Sequence, residues 1–142
     1  MGWNLTAPRF APDPKDPSII AVCKACGKEW MRFLSWIGKL EYFSRARPGS
    51  YCAYAWGDQG FYAGTWNKEG FRLAAIAVVP EARRQGLGTT MLRHLLFSMQ
   101  NAGRRRLTFR CAAGSPSEQW WLKRGARPIG RKGSDVEMEI IA

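Results

Sequence analysis

The segment Arg83–Thr89 combines two arginines with two closely spaced glycines, Gly86 and Gly88. It follows the apolar run 73–79 and opens a stretch with helical periodicity. A strand that leads through a glycine-rich turn into a helix directs several backbone N–H groups at one point, and the helix dipole adds positive potential there. Arginine adds a full charge with bidentate geometry. This pattern predicts a phosphate site, and a ligand that carries a pyrophosphate fits it best.

A second chemical pattern is the pair Cys23 and Cys26, which resembles one half of a zinc knuckle. A structural zinc site needs a further Cys-x-x-Cys or Cys/His pair. Cys52 and Cys111 stand alone in predicted strands, where small buried cysteines are ordinary. His94, the one histidine, lies in a predicted helix beside its apolar stripe and is interpreted as a packing residue. We therefore expect no metal ion.

Length and composition indicate one globular domain. The chain has 142 residues, of which 46% are hydrophobic, and its 7 Trp and 7 Phe argue against disorder. No apolar run reaches the roughly 18 residues that a membrane-spanning helix requires. Residues 1–17 are rich in proline and lack the apolar core of a signal peptide. We expect a cytoplasmic protein without a membrane partner, with its four cysteines as free thiols.

The charge balance is strongly basic, with a formal net charge of +11. Residues 81–142 contain 12 Lys and Arg against 5 Asp and Glu. One interpretation is a soluble basic surface that also attracts an anionic cofactor. The other is a polyanionic partner such as nucleic acid. Composition alone leaves both open.

Periodicity and turn signals predict the order β-α-β-β-β-α-β-α-β-β in a single domain over residues 18–142, after an irregular arm over 1–17. The helix after Gly88 carries leucines and methionines four residues apart and ends near Gly103. A further helix is predicted over 27–47, with a break at Gly38. The predicted strands cover 18–23, 51–56, 61–66, 71–79, 107–111, 126–131 and 136–141, and a short helix covers 116–124.

Two motifs in this order resemble the GNAT family of N-acetyltransferases. The family signature Gln/Arg-x-x-Gly-x-Gly/Ala is met by Arg83, Gly86 and Gly88, directly after a strand that resembles the family's fourth strand. The segment Trp120–Ala126 resembles the family's Phe-Tyr-x-x-x-Gly-Phe. The resemblance implies an α/β (α+β) GNAT fold, with a mixed central sheet of about six to seven strands flanked by about four helices. It is good over 71–131, fair over 18–70 and absent over 1–17.

The resemblance also implies a donor, acetyl-CoA or another acyl-CoA. In the family the pantetheine arm pairs with the backbone of the fourth strand, and the pyrophosphate lies on the N–H groups of the glycine-rich turn. A glycine in that turn lets the backbone approach the phosphate without a Cβ clash. The donor-binding residues expected on this basis are Ile76, Val78, Arg83, Arg84, Gln85, Gly86, Leu87, Gly88, Thr89, Ser115 and Trp121.

The catalytic groups depart from the family pattern. Acyl transfer needs a neutral amine, a stabilised oxyanion and a stabilised leaving thiolate. Many members use a Tyr as the acid, at the position of Trp121, but an indole N–H is not a usable acid. Many also place a Glu on the fourth strand, and 71–79 contains no carboxylate. The remaining catalytic candidates are Ser117 and Glu118, whose alternative interpretation, together with Ser115, is capping of the helix at 116–124.

Three functions remain open at this point. The first is a GNAT enzyme that acetylates an amine of a small molecule, a protein or an aminoacyl-tRNA. The second is a GNAT-fold enzyme that modifies a nucleobase and resembles the phage Mom proteins, which the positive charge favours. The third is a non-catalytic module that binds acyl-CoA or nucleic acid. The protein is expected to be a monomer or a homodimer.

Overall fold

A computed structural model of the protein describes residues 7–27, 47 and 49–142. Within these ranges it contains seven strands and three α-helices around one mixed sheet, which confirms the predicted fold class. A short 3-10 turn, Pro80–Ala82, links the fourth strand to the second helix. The elements are β1 (Arg9–Phe10), α1 (Pro17–Cys26), β2 (Tyr51–Trp56), β3 (Gly60–Trp66), β4 (Gly70–Val78), α2 (Leu87–Asn101), β5 (Arg106–Ala112), α3 (Pro116–Leu122), β6 (Arg127–Lys132) and β7 (Asp135–Ile141).

The sheet order is β1-β2-β3-β4-β5-β7-β6, and β4 and β5 form its one parallel pair among the described strands. This pair is short, since the last partners along the two strands are Arg72 and Thr108. At its start the strands lie so close that a Cβ on Gly70 would fall 1.8 Å from the Arg106 carbonyl oxygen. Beyond Thr108 the two strands no longer pair. We call the opening between them, past Arg72 and Thr108, the fork.

A β-bulge lies in β4 just past the start of the fork. Ala63 on β3 faces Ala75, whereas the next residue, Gly64, faces Leu73, so Ala74 is the extra residue. A bulge bends its strand and increases the local twist. The edge of β4 that faces the fork is therefore both unpaired by β5 and bent.

The helices divide between the two faces of the sheet. A Cβ on Gly60 would meet side-chain atoms of Leu87 and Met91, so α2 packs on the face that includes Gly60. α3 packs on the same face, through the contact of Trp121 with Phe109 of β5. α1 contacts β3 and β4 and buries Ile19 and Val22. We call these the α2 face and the α1 face.

The predicted first strand over 18–23 is wrong, because these residues belong to α1. The run Ile19–Val22 contains three β-branched residues, which favour a strand. The residues just before it decide otherwise. The Asp16 side chain accepts a hydrogen bond from the Ser18 N–H, and Pro17 takes the first helical position. Tertiary packing and a strong helix start thus override local strand propensity.

Most of the other predicted helices and strands are confirmed. The hairpin of β2 and β3, the strands β4 to β7 and the helices α2 and α3 are confirmed, with boundaries within two residues. The arm over 1–17 is not wholly irregular, because Arg9–Phe10 pairs with β2. The helix predicted over 27–47 lies outside the described residues apart from its two ends, and Gly27, at a φ of 67°, ends α1.

Candidate active site

The N-terminus of α2 is open to a ligand. Gly86 precedes the helix with a φ of 84°, and no side chain caps this end. The first backbone bond of the helix runs from the Thr90 N–H to the Gly86 carbonyl oxygen, at 3.0 Å. The N–H groups of Leu87, Gly88 and Thr89 have no acceptor among the described residues. Fifteen residues of aligned peptide dipoles stand behind them, so this end attracts an anion.

The turn before α2 is held against the end of β4 by its own side chains. The Arg83 Nε–H donates to the Val78 carbonyl oxygen at 2.8 Å, and its Nη2 lies 3.7 Å from the Cys26 sulfur. The Gln85 amide donates to the Glu81 carbonyl oxygen at 3.0 Å. Arg84 is exposed and has a φ of 65°, a strained value for a non-glycine residue. Arg83 and Gln85 thus shape the turn, and Arg84 faces solvent.

Glycine is favoured at the two positions of the motif for different structural reasons. Gly86 has open space around its Cα, so its positive φ rather than crowding favours glycine there. A Cβ on Gly88 would lie 3.0 Å from the Trp120 ring. Gly88 therefore has a packing role beside the close approach of phosphate that the motif predicts.

Trp120 and Arg124 form a wall beside this helix end. The Arg124 guanidinium stacks 3.9 Å from the centroid of the Trp120 ring. Its Nη2 donates to the Thr89 hydroxyl at 3.1 Å, and its Nη1 donates to the Trp120 carbonyl oxygen. Its buried Nε has no hydrogen-bond partner among the described residues. A cation beside the positive end of a helix is unfavourable unless an anion joins it, which adds to the case for a phosphate site.

Strand β4 carries the two other residues that were expected at the donor site, Ile76 and Val78. Ile76 pairs with Tyr62 and Val78 pairs with Gly60, so both side chains lie on the α2 face and are half-buried. Their backbone edge faces the fork. The Val78 carbonyl oxygen already accepts from Arg83, so this acceptor is shared with the turn.

The candidate groups at the start of α3 are used as caps. The Ser115 hydroxyl accepts from the Glu118 N–H at 3.2 Å and donates to the Ala112 carbonyl oxygen at 2.6 Å. The Glu118 carboxylate accepts from the Gly114 N–H at 2.6 Å. This reciprocal arrangement is a capping box shifted by one residue. Ser117 is exposed on the first turn of α3 and has no such contact.

Trp121 belongs to the core. It is 3% exposed, its ring lies 4.0 Å from that of Phe109, and it meets Trp120 edge to face at 4.8 Å. Trp120, its neighbour, is the one of the two that reaches the helix end.

His94 lies among aromatic rings of β2 and β3. Its Nδ1 and the Tyr62 hydroxyl share a hydrogen bond of 2.8 Å, and it contacts the rings of Tyr54 and Trp56. Burial lowers the pKa of His94 and raises that of Tyr62. Both groups are therefore neutral near pH 7, which fits the packing role expected for His94.

Charged side chains at the fork were missed by the sequence analysis. Arg72 of β4 pairs with both carboxylate oxygens of Glu137 on β7, and Arg110 of β5 lies 3.5 Å from the same carboxylate. A carboxylate thus lies close to β4, although it comes from another strand. Strand alternation signals that such residues share a face, but only the strand order brings them together.

Three further sequence expectations concern the cysteines, a metal site and a membrane-spanning helix. All four cysteines are thiols without disulfide bonds, as predicted, and burial raises the pKa of Cys52 to about 11. Residues 7–27, 47 and 49–142 contain no group of three or more His, Cys, Asp and Glu side chains arranged for a metal ion. No helix in the same ranges has the length and apolarity to span a lipid bilayer.

Comparison with protein families gives one match, the acetyltransferase (GNAT) family, over residues 18–126. Comparison with curated protein sequences gives no significant match. Solved structures share the fold at low sequence identity. The PaiA N-acetyltransferase from Thermoplasma acidophilum, in complex with coenzyme A, superposes with a TM-score of 0.72 at 17% identity, covering 96% of this chain and 99% of that one. An acetyltransferase from Thermus thermophilus superposes with a TM-score of 0.72 at 16% sequence identity, covering 96% of this chain and 97% of that one. The ribosomal-protein-S18-alanine N-acetyltransferase from Escherichia coli superposes with a TM-score of 0.68 at 16% sequence identity, covering 95% of this chain and 94% of that one.

Proposed function

Because the chain belongs to the GNAT family of acetyltransferases, we propose that it transfers an acyl group, in the first instance acetyl, from coenzyme A to an amine. The observation that supports this most directly is the uncapped N-terminus of α2, which lies next to the unpaired edge of β4. Together these features offer a pyrophosphate site and a strand edge along which a pantetheine arm fits.

The donor fits the residues that line this region. The N–H groups of Leu87 to Thr89 would hold a pyrophosphate, and the nearby Arg84 and Arg124 would supply positive charge. Acyl-CoA, when bound, supplies a thioester carbonyl that is activated toward amines. The edge of β4 beyond Arg72 is not paired by β5, so backbone N–H groups on that edge would stabilise negative charge on a carbonyl oxygen held at the fork.

The acid and base of the family pattern are not replaced residue for residue. Trp121 is buried and cannot donate a proton, and Glu118 is held as a cap. A CoA thiolate is a moderately good leaving group, so transfer does not require a strong acid. Ser117, being exposed, is the remaining side chain of the original pair that we propose as a proton donor.

The test measures donor binding and transfer separately. Calorimetry with coenzyme A reports binding, and release of free CoA thiol from acetyl-CoA with a panel of amines reports transfer. Binding together with amine-dependent thiol release supports the enzyme. Binding without release supports a non-catalytic module, and absence of binding contradicts the proposed donor.

Nucleic-acid binding is the second candidate, and one observation favours it. All six residues of β6 are exposed, and they include Arg127, Arg131 and Lys132. Phosphate-tracking surfaces lose affinity steeply as salt rises. A labelled DNA or RNA oligonucleotide titrated at low and moderate salt tests this, and absence of binding at low salt excludes it.

A further inference from the structure

The α1 face of the sheet carries a network of charged residues beside the fork. Strand alternation places them opposite the apolar side chains of Leu107 and Phe109, which face α3 and the core. The network consists of Arg72, Arg106, Arg110 and Arg127 with Glu69, Glu137 and Glu139.

The part of the network away from the fork is internally satisfied. Glu139 is 5% exposed, and its two oxygens accept from Arg106 at 2.8 Å and from Arg127 at 2.7 Å. These two hydrogen bonds hold the pKa of Glu139 below its ordinary value. Arg106 also pairs with Glu69 at 3.2 Å. Charge is balanced here, and each member has a partner.

Among the described residues, the part of the network at the fork has an excess of positive charge. Arg72 takes both oxygens of Glu137, whereas the Arg110 Nε stays 3.5 Å from Glu137 Oε1. Two guanidinium groups therefore share one carboxylate. The terminal nitrogens of Arg110 have no hydrogen-bond partner in the described part of the chain, and its side chain is 29% exposed.

Arg110 lies where the acceptor amine must react if the proposed function holds. The last β4–β5 pair is Arg72 with Thr108, and Arg110 is two residues further along β5. The equivalent position on β4 is Ala74, the extra residue of the bulge. Arg110 thus stands on the β5 side of the opening, on the α1 face of the sheet.

This charge distribution selects among acceptors. A simple ammonium group is repelled by a net positive fork, whereas a molecule with an oxyanion is attracted by an arginine that shares its one carboxylate with another. The same positive potential lowers the pKa of an amine placed there and so favours its reactive neutral form. In the transfer, the new C–N bond forms as the C–S bond breaks, and the proton that the amine loses reaches the thiolate by way of solvent and the exposed Ser117 hydroxyl.

We propose, on the basis of the proposed function, that the acceptor is an amine bearing a nearby carboxylate or phosphate, and that Arg110 binds this oxyanion. Arg110 is a specificity-determining residue in this view, and Arg72 with Glu137 positions it. The acceptor class is then an amino acid or a phosphorylated amine rather than a polyamine.

Matched acceptors test the proposal by kinetics. The pairs are amino acids against their carboxamides, and O-phosphoethanolamine against ethanolamine. We expect the anionic member of the preferred pair to have kcat/KM about tenfold higher or more, and Arg110→Gln to reduce that ratio to about twofold. The matched control Arg131→Gln, on exposed β6, should keep the ratio. A preference for the uncharged member, or an Arg110→Gln variant with an unchanged ratio, overturns the proposal.

Binding gives a second readout that does not require turnover. With coenzyme A present, the Arg110 Nε–H signal in an NMR spectrum should shift on titration with glycine or O-phosphoethanolamine to on the order of 10 mM, but not with glycinamide or ethanolamine. Absence of a shift with both anions overturns the proposal. Calorimetry of Arg110→Gln with coenzyme A should match the unmodified protein. If the unmodified protein does not bind coenzyme A, the proposed function fails instead. Failure of the acceptor proposal and failure of the proposed function are therefore distinguishable.

Discussion

Two helices, α2 and α3, begin at the same end of the sheet and on the same face, yet their N-termini are built differently. Each follows one of the parallel strands β4 and β5. At α3, Ser115 and Glu118 satisfy the backbone with a reciprocal pair of hydrogen bonds. At α2, Gly86 provides no side chain, and no other described residue caps the helix.

The proposed function assigns a structural role to the closed end of α3 and a ligand to the open end of α2. Where the chain supplies its own acceptors, the helix end is closed to an anion and the capping side chains are occupied. Where it supplies none, the exposed N–H groups and dipole are available to a ligand. The predictions below test this contrast, beginning with the largest expected effect.

The first prediction places a carboxylate at the open helix end. Gly86→Glu should weaken coenzyme A binding by about 100-fold or more, because a negative side chain would repel the pyrophosphate. Calorimetry measures the change.

Gly86→Ala is its matched control, since alanine adds the strain of a positive φ without charge. That strain costs roughly 1–2 kcal/mol in the free energy of unfolding. If both variants bind coenzyme A as the unmodified protein does, α2 does not hold the phosphate.

The second prediction removes the side-chain cap at the closed N-terminus of α3. Ser115→Ala should lower the free energy of unfolding by about 1 kcal/mol, because it deletes a helix cap. Urea denaturation measures this loss. Affinity for coenzyme A should stay within about twofold of the unmodified value, a negligible change in free energy. A large loss of affinity with little loss of stability would show that Ser115 contacts the donor.

The third prediction concerns the wall beside the open end. Gly88→Ala should destabilise the protein by about 1 kcal/mol, because the Trp120 ring must move away from the new methyl group. Thermal unfolding reports the change. We expect a weaker effect on coenzyme A affinity than for Gly86→Glu, because no charge is added. Trp120→Leu combined with Gly88→Ala should recover part of the stability, which checks the assigned contact.

The fourth prediction concerns α1, whose cap is charged. Arg9 donates to both oxygens of Asp16, and this pairing holds the Asp16 pKa below its ordinary value of 3.8. The stabilisation is fully present above that value and is lost as the pH falls through the lower pKa of the folded state. Denaturation between neutral pH and pH of about 3 should show it. Asp16→Asn should flatten this dependence, and an unchanged slope would contradict the assignment.

The sequence was sufficient for features that depend on neighbouring residues. The turn at Arg83–Thr89, the helix after it and the capping alternative for Ser115 are local patterns, and each has a local physical cause. The helix start at Asp16 and Pro17 was also local, but the β-branched run that follows concealed it. Trp121 shows a different limit, because periodicity does not tell which of two adjacent tryptophans faces the core.

The charged network depended on information that no local pattern contains. Glu137 meets Arg72 and Arg110 only because β7 lies next to β5 and antiparallel to it. The strand β6, which follows α3 directly, is placed outside β7 instead. A carboxylate therefore lies close to β4 although the sequence of β4 contains none.

The outer strands of the described sheet affect how the protein behaves at high concentration. β1 spans only two residues, while β6 has a register shift between Pro128 and Gly130 and is rich in basic residues. Unprotected strand edges are templates for intermolecular β-pairing and aggregation, and short strands, proline, bulges and lysine or arginine discourage it. We therefore expect the described sheet to resist growth by strand pairing at both of its edges.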